Sequence, residues 1–276
     1  MPVVVVTDSS ARLSAEDLQR WDIRVLPLHV MCDGVSLRDG VDDIPSDFAD
    51  RPHATTAALS PGELVDAYRQ ALTDSGGDGV LAVHLSAALS STYSTALAAG
   101  RELGSAVRVV NSRSTAMGLG FMALAAARAA DSGADLDSVE AQVRQQVGHQ
   151  HAFIVVNRLD NLRRSGRIGT AASWLGTALS VKPLLTLDVD GRLVLDQRVR
   201  TTAKAYLAMI ERVVELVGER AADIVVHHVQ NRDDAAEIAD SLRALLPRVE
   251  SLSISDMGPL LAIHLGTGAV GVVVHC

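Results

Sequence analysis

Aromatic side chains are scarce in this chain of 276 residues, since Phe, Trp and Tyr together make up only 3% of it. Proteins that bind single-stranded nucleic acid stack its bases on such rings. Basic residues are also outnumbered: 25 Lys and Arg stand against 33 Asp and Glu, for a net charge of −8. A nucleic-acid-binding surface normally needs the opposite balance. We therefore expect no nucleic-acid partner, and any apolar pocket must be lined by aliphatic side chains.

Cysteines and long apolar runs are also lacking. The two cysteines, Cys32 and Cys276, lie far apart in the sequence, so we expect no disulfide framework and a reducing compartment. The most apolar helix-like stretch, residues 118–130, is interrupted by Arg128. No run reaches the roughly 20 residues that a membrane span needs. The sequence therefore predicts a cytoplasmic protein with transient membrane contact or none.

Strand-like and helix-like segments alternate regularly through the first half of the chain. Ser60, Pro61 and Glu63 form a helix start, with Ser as the N-cap and Glu completing a capping box. Regular alternation is typical of a parallel α/β sheet. We therefore predict that residues 1–150 form a Rossmann-like α/β domain with a mostly parallel sheet flanked by helices. Its predicted strands are residues 3–6, 23–30, 80–85 and 107–110, and its longer helices include residues 118–131 and 136–148.

The pattern changes after residue 150. The sequence DVDG at residues 188–191 lies between two apolar runs and indicates a hairpin. Helices are expected at residues 171–179 and 201–217. We predict that residues 151–276 form a second domain, a mixed α/β sandwich. Its predicted strands are residues 153–157, 184–187, 192–199, 224–229, 249–254 and 270–274.

Many hydroxyl side chains lie where a strand-like run gives way to a helix-like run, within HLSAALSSTYSTALAAG at residues 84–100. The first N–H groups of a helix lack intrahelical acceptors, and the helix dipole adds partial positive charge. Such a place suits an anion, either a carboxylate or a phosphate. The alternative interpretation is ordinary capping and turn formation. The hydroxyls belong to Ser86, Ser90, Ser91, Thr92, Ser94 and Thr95.

A second polar loop precedes the helix that starts at Ser60 and contains Thr55 and Thr56. Ligands of open α/β sheets usually bind where the strands end. The two polar loops are therefore candidates for one anion site.

Glycine-rich and nucleophile motifs give no support to nucleotide binding or serine catalysis. Gly266, Gly268 and Gly271 match G-x-G-x-x-G, but they lead into an apolar terminal run instead of opening a helix. The sequence GLGFMA at residues 118–123 precedes a helix but lacks the later acidic strand end. No P-loop sequence and no G-x-S-x-G sequence occur. We expect no cofactor and no catalytic residue.

Histidines offer weak signals. The pairs His149/His151 and His227/His228 lack the further ligands and spacing of a metal site, so no metal is expected. A lone histidine on an apolar strand, which the pattern indicates for His264, is usually structural. The glycine loop beside His264 favours a functional role, and both interpretations remain open.

The sequence NRLDNLRRSGRIG at residues 157–169 reverses the charge of the acidic chain locally. A charge run is usually a solvated face. An arginine-rich turn also suits a phosphate or an acidic partner. The arginines are Arg158, Arg163, Arg164 and Arg167.

Six segments together resemble the DegV family, the fatty-acid-binding subunits of bacterial fatty acid kinase. They occur in family order and span nearly the whole chain. They are VTDSSARL (6–13), TAALSPGEL (56–64), LSAALSSTY (85–93), NLRRSGRI (161–168), KPLLTLDVDGRL (182–193) and IHLGTGAVG (263–271).

The resemblance implies a binding protein and not an enzyme. By similarity, Thr56, Ser90 and the Ser91 backbone would bind the carboxylate of a long-chain fatty acid. His264 would lie nearby, acting through water, and the tail would occupy an aliphatic tunnel between the two domains. A separate ATP-dependent kinase subunit would phosphorylate the carboxylate. Arg167 and Arg200 match family arginines implicated in docking that kinase.

The chain departs from the usual family sequence at three of these motifs. The family usually has Thr-Ser-Gln-Pro-Ser at residues 56–60, Leu-Ser-Gly-Thr-Tyr at 89–93 and His-Thr-Gly-Pro-Gly at 264–268. This chain reads TAALS, LSSTY and HLGTG there. The hydroxyls of Thr56 and Ser90 and the imidazole of His264 are kept. Ala57, Ala58, Ser91 and Leu265 are among the substituted positions.

A different class of function uses the same predicted anion site. The chain would then be an enzyme of small carboxylates or phosphosugars, a transferase or a hydrolase. A tightly held acyl chain in the purified protein favours the binding protein, whereas turnover by the isolated chain favours the enzyme.

Overall fold

The computed structural model of the chain describes residues 2–168 and 182–276. Strands and helices alternate along much of it. The strands are β1 (Val4–Asp8), β2 (Arg24–Leu26), β3 (His29–Cys32), β4 (Val35–Arg38), β5 (Thr55–Ala57), β6 (Val80–His84), β7 (Val107–Asn111), β8 (Gln150–Val155), β9 (Lys182–Leu187), β10 (Leu193–Val199), β11 (Ala222–His228), β12 (Val249–Asp256) and β13 (Val270–His275). The helices are α1 (Ala15–Trp21), α2 (Pro61–Asp74), α3 (Thr92–Leu103), α4 (Met117–Asp131), α5 (Leu136–Gln146), α6 (Asp160–Arg164), α7 (Thr202–Val217), α8 (Arg232–Leu245) and α9 (Gly258–Leu265).

The described residues form two compact units. The first comprises those of Met1–Val30, Ser36–Asp43 and Thr56–Gly148. The second comprises those of Met31–Val35, Ile44–Thr55 and His149–Cys276. Two short segments from the first half of the chain therefore group with the second unit. A single boundary near residue 150 assigns both segments to the first domain. They lie on either side of β4, and the second reaches the first residue of β5.

The first unit is built on a parallel sheet with the strand order β2–β1–β6–β7. Strand β6 is buried along its whole length, as a continuous apolar run in a parallel sheet should be. Helices α4 and α5 pack against strands of this sheet, as does α3 against β7. The predicted parallel sheet flanked by helices is confirmed.

The capping box predicted at the start of α2 is present. The Oγ of Ser60 accepts the N–H of Glu63 at 3.3 Å, and Glu63 Oε2 accepts the N–H of Ser60 at 2.8 Å. The predicted strand at residues 23–30 is instead two strands, β2 and β3, interrupted at Pro27. Proline cannot donate to a strand ladder, so the chain changes sheets there. Strand β3 joins β4 and β5 in a small sheet ordered β4–β3–β5.

The second unit contains a mixed sheet with the order β10–β9–β8–β13–β11–β12. Strands β11 and β12 are parallel and the other neighbours are antiparallel. Helices α7 and α8 pack on this sheet and enclose a core that includes Phe153, Leu184, Met209, Ile224 and Leu242. The predicted mixed α/β architecture is confirmed for this part of the chain.

The hairpin predicted around DVDG is also present between β9 and β10. The Oδ1 of Asp188 accepts the N–H groups of Asp190 and Arg192 at 2.9 and 2.8 Å. Gly191 has a φ of 77°, which favours glycine. The helix predicted at residues 171–179 lies outside the described residues.

Helix α9 corrects the sequence interpretation of His264. The residue lies in the last turn of this helix and not on a strand. Most of α9 is buried, so it lacks the apolar and polar faces that reveal a helix in a sequence. Pro259 in the first turn is the helix-start signal that was available. Within residues 2–168 and 182–276, no helix combines the length and apolar character needed to cross a bilayer.

Candidate functional site

Ser90 and Ser91 lie in the loop from β6 to α3, at the carboxyl end of β6. Ser91 is the N-cap residue of α3 and is exposed, but its side chain makes no cap hydrogen bond. The Oγ of Ser90 accepts the N–H of Thr92 at 3.2 Å and lies 2.9 Å from Thr92 Oγ1. Ser90 is half-buried and thus provides a hydroxyl at the positive end of the α3 dipole. This position suits one oxygen of an anion.

The other hydroxyls of this stretch mainly serve local structure. The hydroxyls of Ser94 and Thr95 donate to the carbonyl of Ser91 at 2.8 and 3.1 Å. The buried Ser86 accepts the N–H of Ala88 at its Oγ. These three residues therefore serve the turn and the first turn of α3, although none of their hydroxyls caps the helix. The capping interpretation holds in part for Ser90, whose hydroxyl accepts the N–H of Thr92.

The loop from β6 to α3 is closely braced. The carbonyl of Ser86 accepts the N–H groups of Leu89 and Ser90 at 3.0 and 3.1 Å. The N–H of Ser86 donates to the carbonyl of Ser114 at 2.8 Å, in the loop that follows β7. These hydrogen bonds restrain the backbone that carries Ser90.

Thr56 lies in β5 and is half-buried, four residues before the N-cap of α2. Helix α2 leads into the amino end of β6, so its own N-terminus lies toward the carboxyl edge of the parallel sheet. Helices α2 and α3 pack against each other. The N-termini of α2 and α3, which follow Thr56 and Ser90 in the chain, therefore lie toward the same edge of the parallel sheet, where ligands of such sheets bind.

His264 belongs to the second unit, where α9 ends at Gly266 with a φ of 80°. Its ring is largely covered. Burial, together with the positive charge of Arg167, lowers the pKa of His264 to about 4. The imidazole is therefore neutral at pH 7 and can donate one N–H to a ligand or a water.

The two predicted docking arginines have different surroundings, although both lie in the second unit. Arg167 is half-buried, its guanidinium donates to the carbonyl of Ser165, and burial lowers its pKa. Arg200 is exposed in the loop between β10 and α7. The structure brings Arg167 close enough to His264 to affect its charge, whereas Arg200 stands on the surface.

The glycines after His264 have a structural reason. Gly268 has a φ of 84°, and an added Cβ would overlap the side-chain amide of Asn157. Its N–H donates to the carbonyl of Val229 at 2.9 Å, and its carbonyl accepts from Asn231 Nδ2 at 3.2 Å. The segment then enters β13, so the rejection of a nucleotide loop is consistent with the geometry.

Residues 2–275 match the DegV family model, whose description reads "Uncharacterised protein, DegV family". A DegV domain-containing protein of Mycobacterium tuberculosis is 56% identical over 274 residues, which cover 99% of this chain and 97% of that protein. The chain belongs to the DegV family. A second DegV domain-containing protein, from Streptomyces coelicolor, is 38% identical over 276 residues, 99% of this chain and 98% of that one.

Solved DegV structures share the fold. A DegV family protein from Corynebacterium glutamicum has a TM-score of 0.88 and 34% identity, covering 100% of this chain and 98% of that one. One from Thermus thermophilus, described by its fatty acid binding, has a TM-score of 0.92 and 30% identity, covering 100% and 99%. DegV from Bacillus subtilis, described as a fatty acid binding protein, has a TM-score of 0.88 and 29% identity, covering 99% of both chains.

Sequence reasoning missed a third loop at this edge of the DegV fold. The loop after β7 contains Ser112 and Ser114, which are buried, and Ser114 braces Ser86 through its carbonyl. Arg113 and Ala116 have φ values of 53° and 50°, which are strained for residues other than glycine. Such strain is often found near functional sites. The available signal was the polar run NSRST that follows a buried strand.

Proposed function

We propose that this DegV family chain binds a long-chain fatty acid. Its carboxylate is held at the N-terminus of α3 by the Ser90 hydroxyl and the Ser91 backbone, with Thr56 as a further contact. The observation that carries the proposal is the half-buried Ser90 hydroxyl on a braced loop at the positive end of a helix dipole. The fatty acid binding described for the Thermus and Bacillus relatives supports the choice of ligand. His264 remains a predicted contact.

The composition suits an acyl tail. Hydrophobic residues make up 48% of the chain while aromatics make up 3%, so aliphatic side chains supply its apolar surface. Burial of one methylene contributes roughly 0.8 kcal/mol, and about fourteen methylenes supply on the order of 11 kcal/mol before ordering costs. The tail then provides most of the affinity, and the head-group contacts fix orientation.

The first expected result is that the protein purifies with a fatty acid. Organic extraction followed by mass spectrometry should give acyl carboxylate at close to one equivalent per chain. Native mass spectrometry before and after denaturation should show the same mass difference. An unrelated α/β protein from the same host, extracted in parallel, controls for carry-over. Empty protein that also fails to bind added palmitate or oleate contradicts the proposal, and turnover of a small carboxylate or phosphosugar by the isolated chain favours the enzyme instead.

We further propose that a separate ATP-dependent kinase subunit phosphorylates the bound carboxylate and docks at Arg167 and Arg200. The resemblance to the family and the exposure of Arg200 support this step. Charge reversal at Arg200 is the cleaner test, because Arg167 also influences His264.

Arg200→Glu is expected to lower kcat/KM for phosphorylation by the cognate kinase about tenfold, since charges at the rim of an interface act mainly on association. Fatty-acid affinity should stay within about twofold. Arg243→Glu, at an exposed position on α8, is the matched control. Equal loss of phosphorylation in both variants, or a parallel loss of fatty-acid affinity, argues against docking at Arg200.

A further inference from the structure

Three polar side chains contact one another in the interior of the first unit. Asp8, Tyr68 and His84 are each 0% exposed. His84 Nδ1 lies 3.0 Å from Asp8 Oδ2, and His84 Nε2 lies 2.6 Å from the hydroxyl of Tyr68. They come from β1, α2 and β6, and we call them the Asp8–His84–Tyr68 network. Buried polar groups are costly unless they are bonded, so each donor in the network needs an acceptor.

The hydrogen bonds around Asp8 indicate which groups in the network donate and which accept. Asp8 accepts the N–H and the hydroxyl of Ser10 at Oδ1, and the N–H of Leu85 at Oδ2 together with His84 Nδ1. Asp8 therefore acts as the acceptor for three donors besides His84. This favours the His84 tautomer with its proton on Nδ1 and with Nε2 accepting from the Tyr68 hydroxyl. Burial, assisted by the charge of Asp8, raises the pKa of Tyr68 above its usual range, so the phenol keeps the proton it donates.

The network leads directly to the loop that holds Ser90. His84 is the last residue of β6, and the next residue, Leu85, donates its N–H to Asp8 at 3.0 Å. The residue after that, Ser86, accepts the N–H of Ser90 with its carbonyl at 3.1 Å. Asp8 and Ser90 are thus linked through Leu85 and Ser86 by one hydrogen bond to the Asp8 carboxylate and one backbone–backbone hydrogen bond. Tyr68 ties the same point to α2.

We propose that the Asp8–His84–Tyr68 network is a positioning device that sets the Ser90 hydroxyl for the ligand carboxylate, an inference that rests on the proposed fatty-acid function. Its three members are fully buried, so we assign them a positioning role and not a catalytic one. The contact between His84 and Asp8 ties the end of β6 to the end of β1. Loss of the Tyr68 hydroxyl leaves Nε2 without that donor and removes the link from β6 to α2.

Tyr68→Phe and His84→Asn test the device. Each keeps the general shape of its site, and Asn can still donate to Asp8 while losing the link to Tyr68. Each variant is expected to weaken palmitate binding about three- to tenfold in calorimetric titration of delipidated protein. Val139→Ala, which removes buried volume from α5 in the same unit, is the matched control. It should lower the melting temperature and leave palmitate affinity within about twofold.

A double-mutant cycle with Ser90→Ala separates positioning from a general loss of stability. If Tyr68 acts through Ser90, Tyr68→Phe should change palmitate affinity less than about twofold in the Ser90→Ala background. Two results overturn the inference. One is a Tyr68→Phe effect on palmitate affinity that is equally large with and without Ser90→Ala. The other is unchanged affinity in both Tyr68→Phe and His84→Asn. If Ser90→Ala alone leaves affinity unchanged, the proposed head-group site fails and the network has no ligand contact to position. Unchanged palmitate affinity in Ser90→Ala therefore counts against the head-group site. Unchanged palmitate affinity in Tyr68→Phe and His84→Asn counts against the positioning network.

Discussion

Asp8→Ala is expected to lower the free energy of unfolding by about 3–5 kcal/mol, a large part of the stability of a typical domain. The carboxylate is completely buried and accepts from Ser10, His84 and Leu85. Its removal leaves these donors in the protein interior without an acceptor, and each such group costs about 1–3 kcal/mol. Breaking a buried charged network by deleting one member has the same order of effect.

Urea denaturation followed by circular dichroism measures this change, with an unchanged m-value showing that the transition stays comparable. Asp43→Asn is the matched control, because Asp43 is an exposed carboxylate of the same unit. It should shift the free energy of unfolding by no more than about 0.5 kcal/mol. A loss below about 1 kcal/mol in Asp8→Ala would contradict the role of Asp8 as the buried acceptor for these donors.

The sequence predicted many helices and strands of the first unit, because the signals for them come from residues close together in the chain. The capping box at Ser60 and Glu63 needs only three residues of sequence separation, and it is present in the structure. The apolar run at residues 80–85 predicted a strand, and β6 is found there. The helix pattern of α4 and α5 agreed with the structure to within one or two residues.

Features that depend on distant residues were not predictable in this way. Strand β13, at the end of the chain, lies between β8 and β11, and no spacing along the sequence specifies that order. The contact between Asp8 and His84 joins residues 76 positions apart. The sequence showed each as a polar residue at the end of an apolar run, but not that they meet. The sequence did not show that His264 lies on a helix for a related reason. Helix α9 is mostly buried, and that burial depends on residues far away in the sequence.

The candidate anion site also has features that the local sequence predicts and features that it does not. Ser90 was identifiable because a hydroxyl before a helix is a local signal. Its bracing by Ser114 was not, because that residue follows a different strand. The choice between a carboxylate and a phosphate also could not be made from one loop. Family membership is what favours the fatty acid.

Ser90→Ala and Thr56→Ala are each expected to weaken fatty-acid binding at least about tenfold. A hydroxyl bonded to a buried carboxylate makes a charge-assisted hydrogen bond, and its loss costs roughly 1.5–3 kcal/mol of binding. That range corresponds to about a ten- to hundredfold change in affinity. Titration of the delipidated proteins with palmitate measures the effect, provided that each variant is folded to the same extent as the unaltered protein.

Stability and binding respond differently to these changes. Ser90 also caps Thr92 N–H, so Ser90→Ala should lower the free energy of unfolding by roughly 1 kcal/mol whether or not it touches a ligand. The affinity change is therefore the deciding quantity. Ser94→Ala is the matched control, since this exposed hydroxyl on the first turn of α3 donates to the carbonyl of Ser91. Its affinity should remain within about twofold of the unaltered protein.

The double variant carries the strongest information. If Thr56 and Ser90 bind the same carboxylate, removal of one hydroxyl allows the ligand to shift toward the other, and the two effects should not add. Effects that multiply fully would indicate independent contacts on separate parts of the ligand. Unchanged palmitate affinity in both single variants, together with a lowered melting temperature, would assign these hydroxyls to loop and cap structure and place the head group elsewhere.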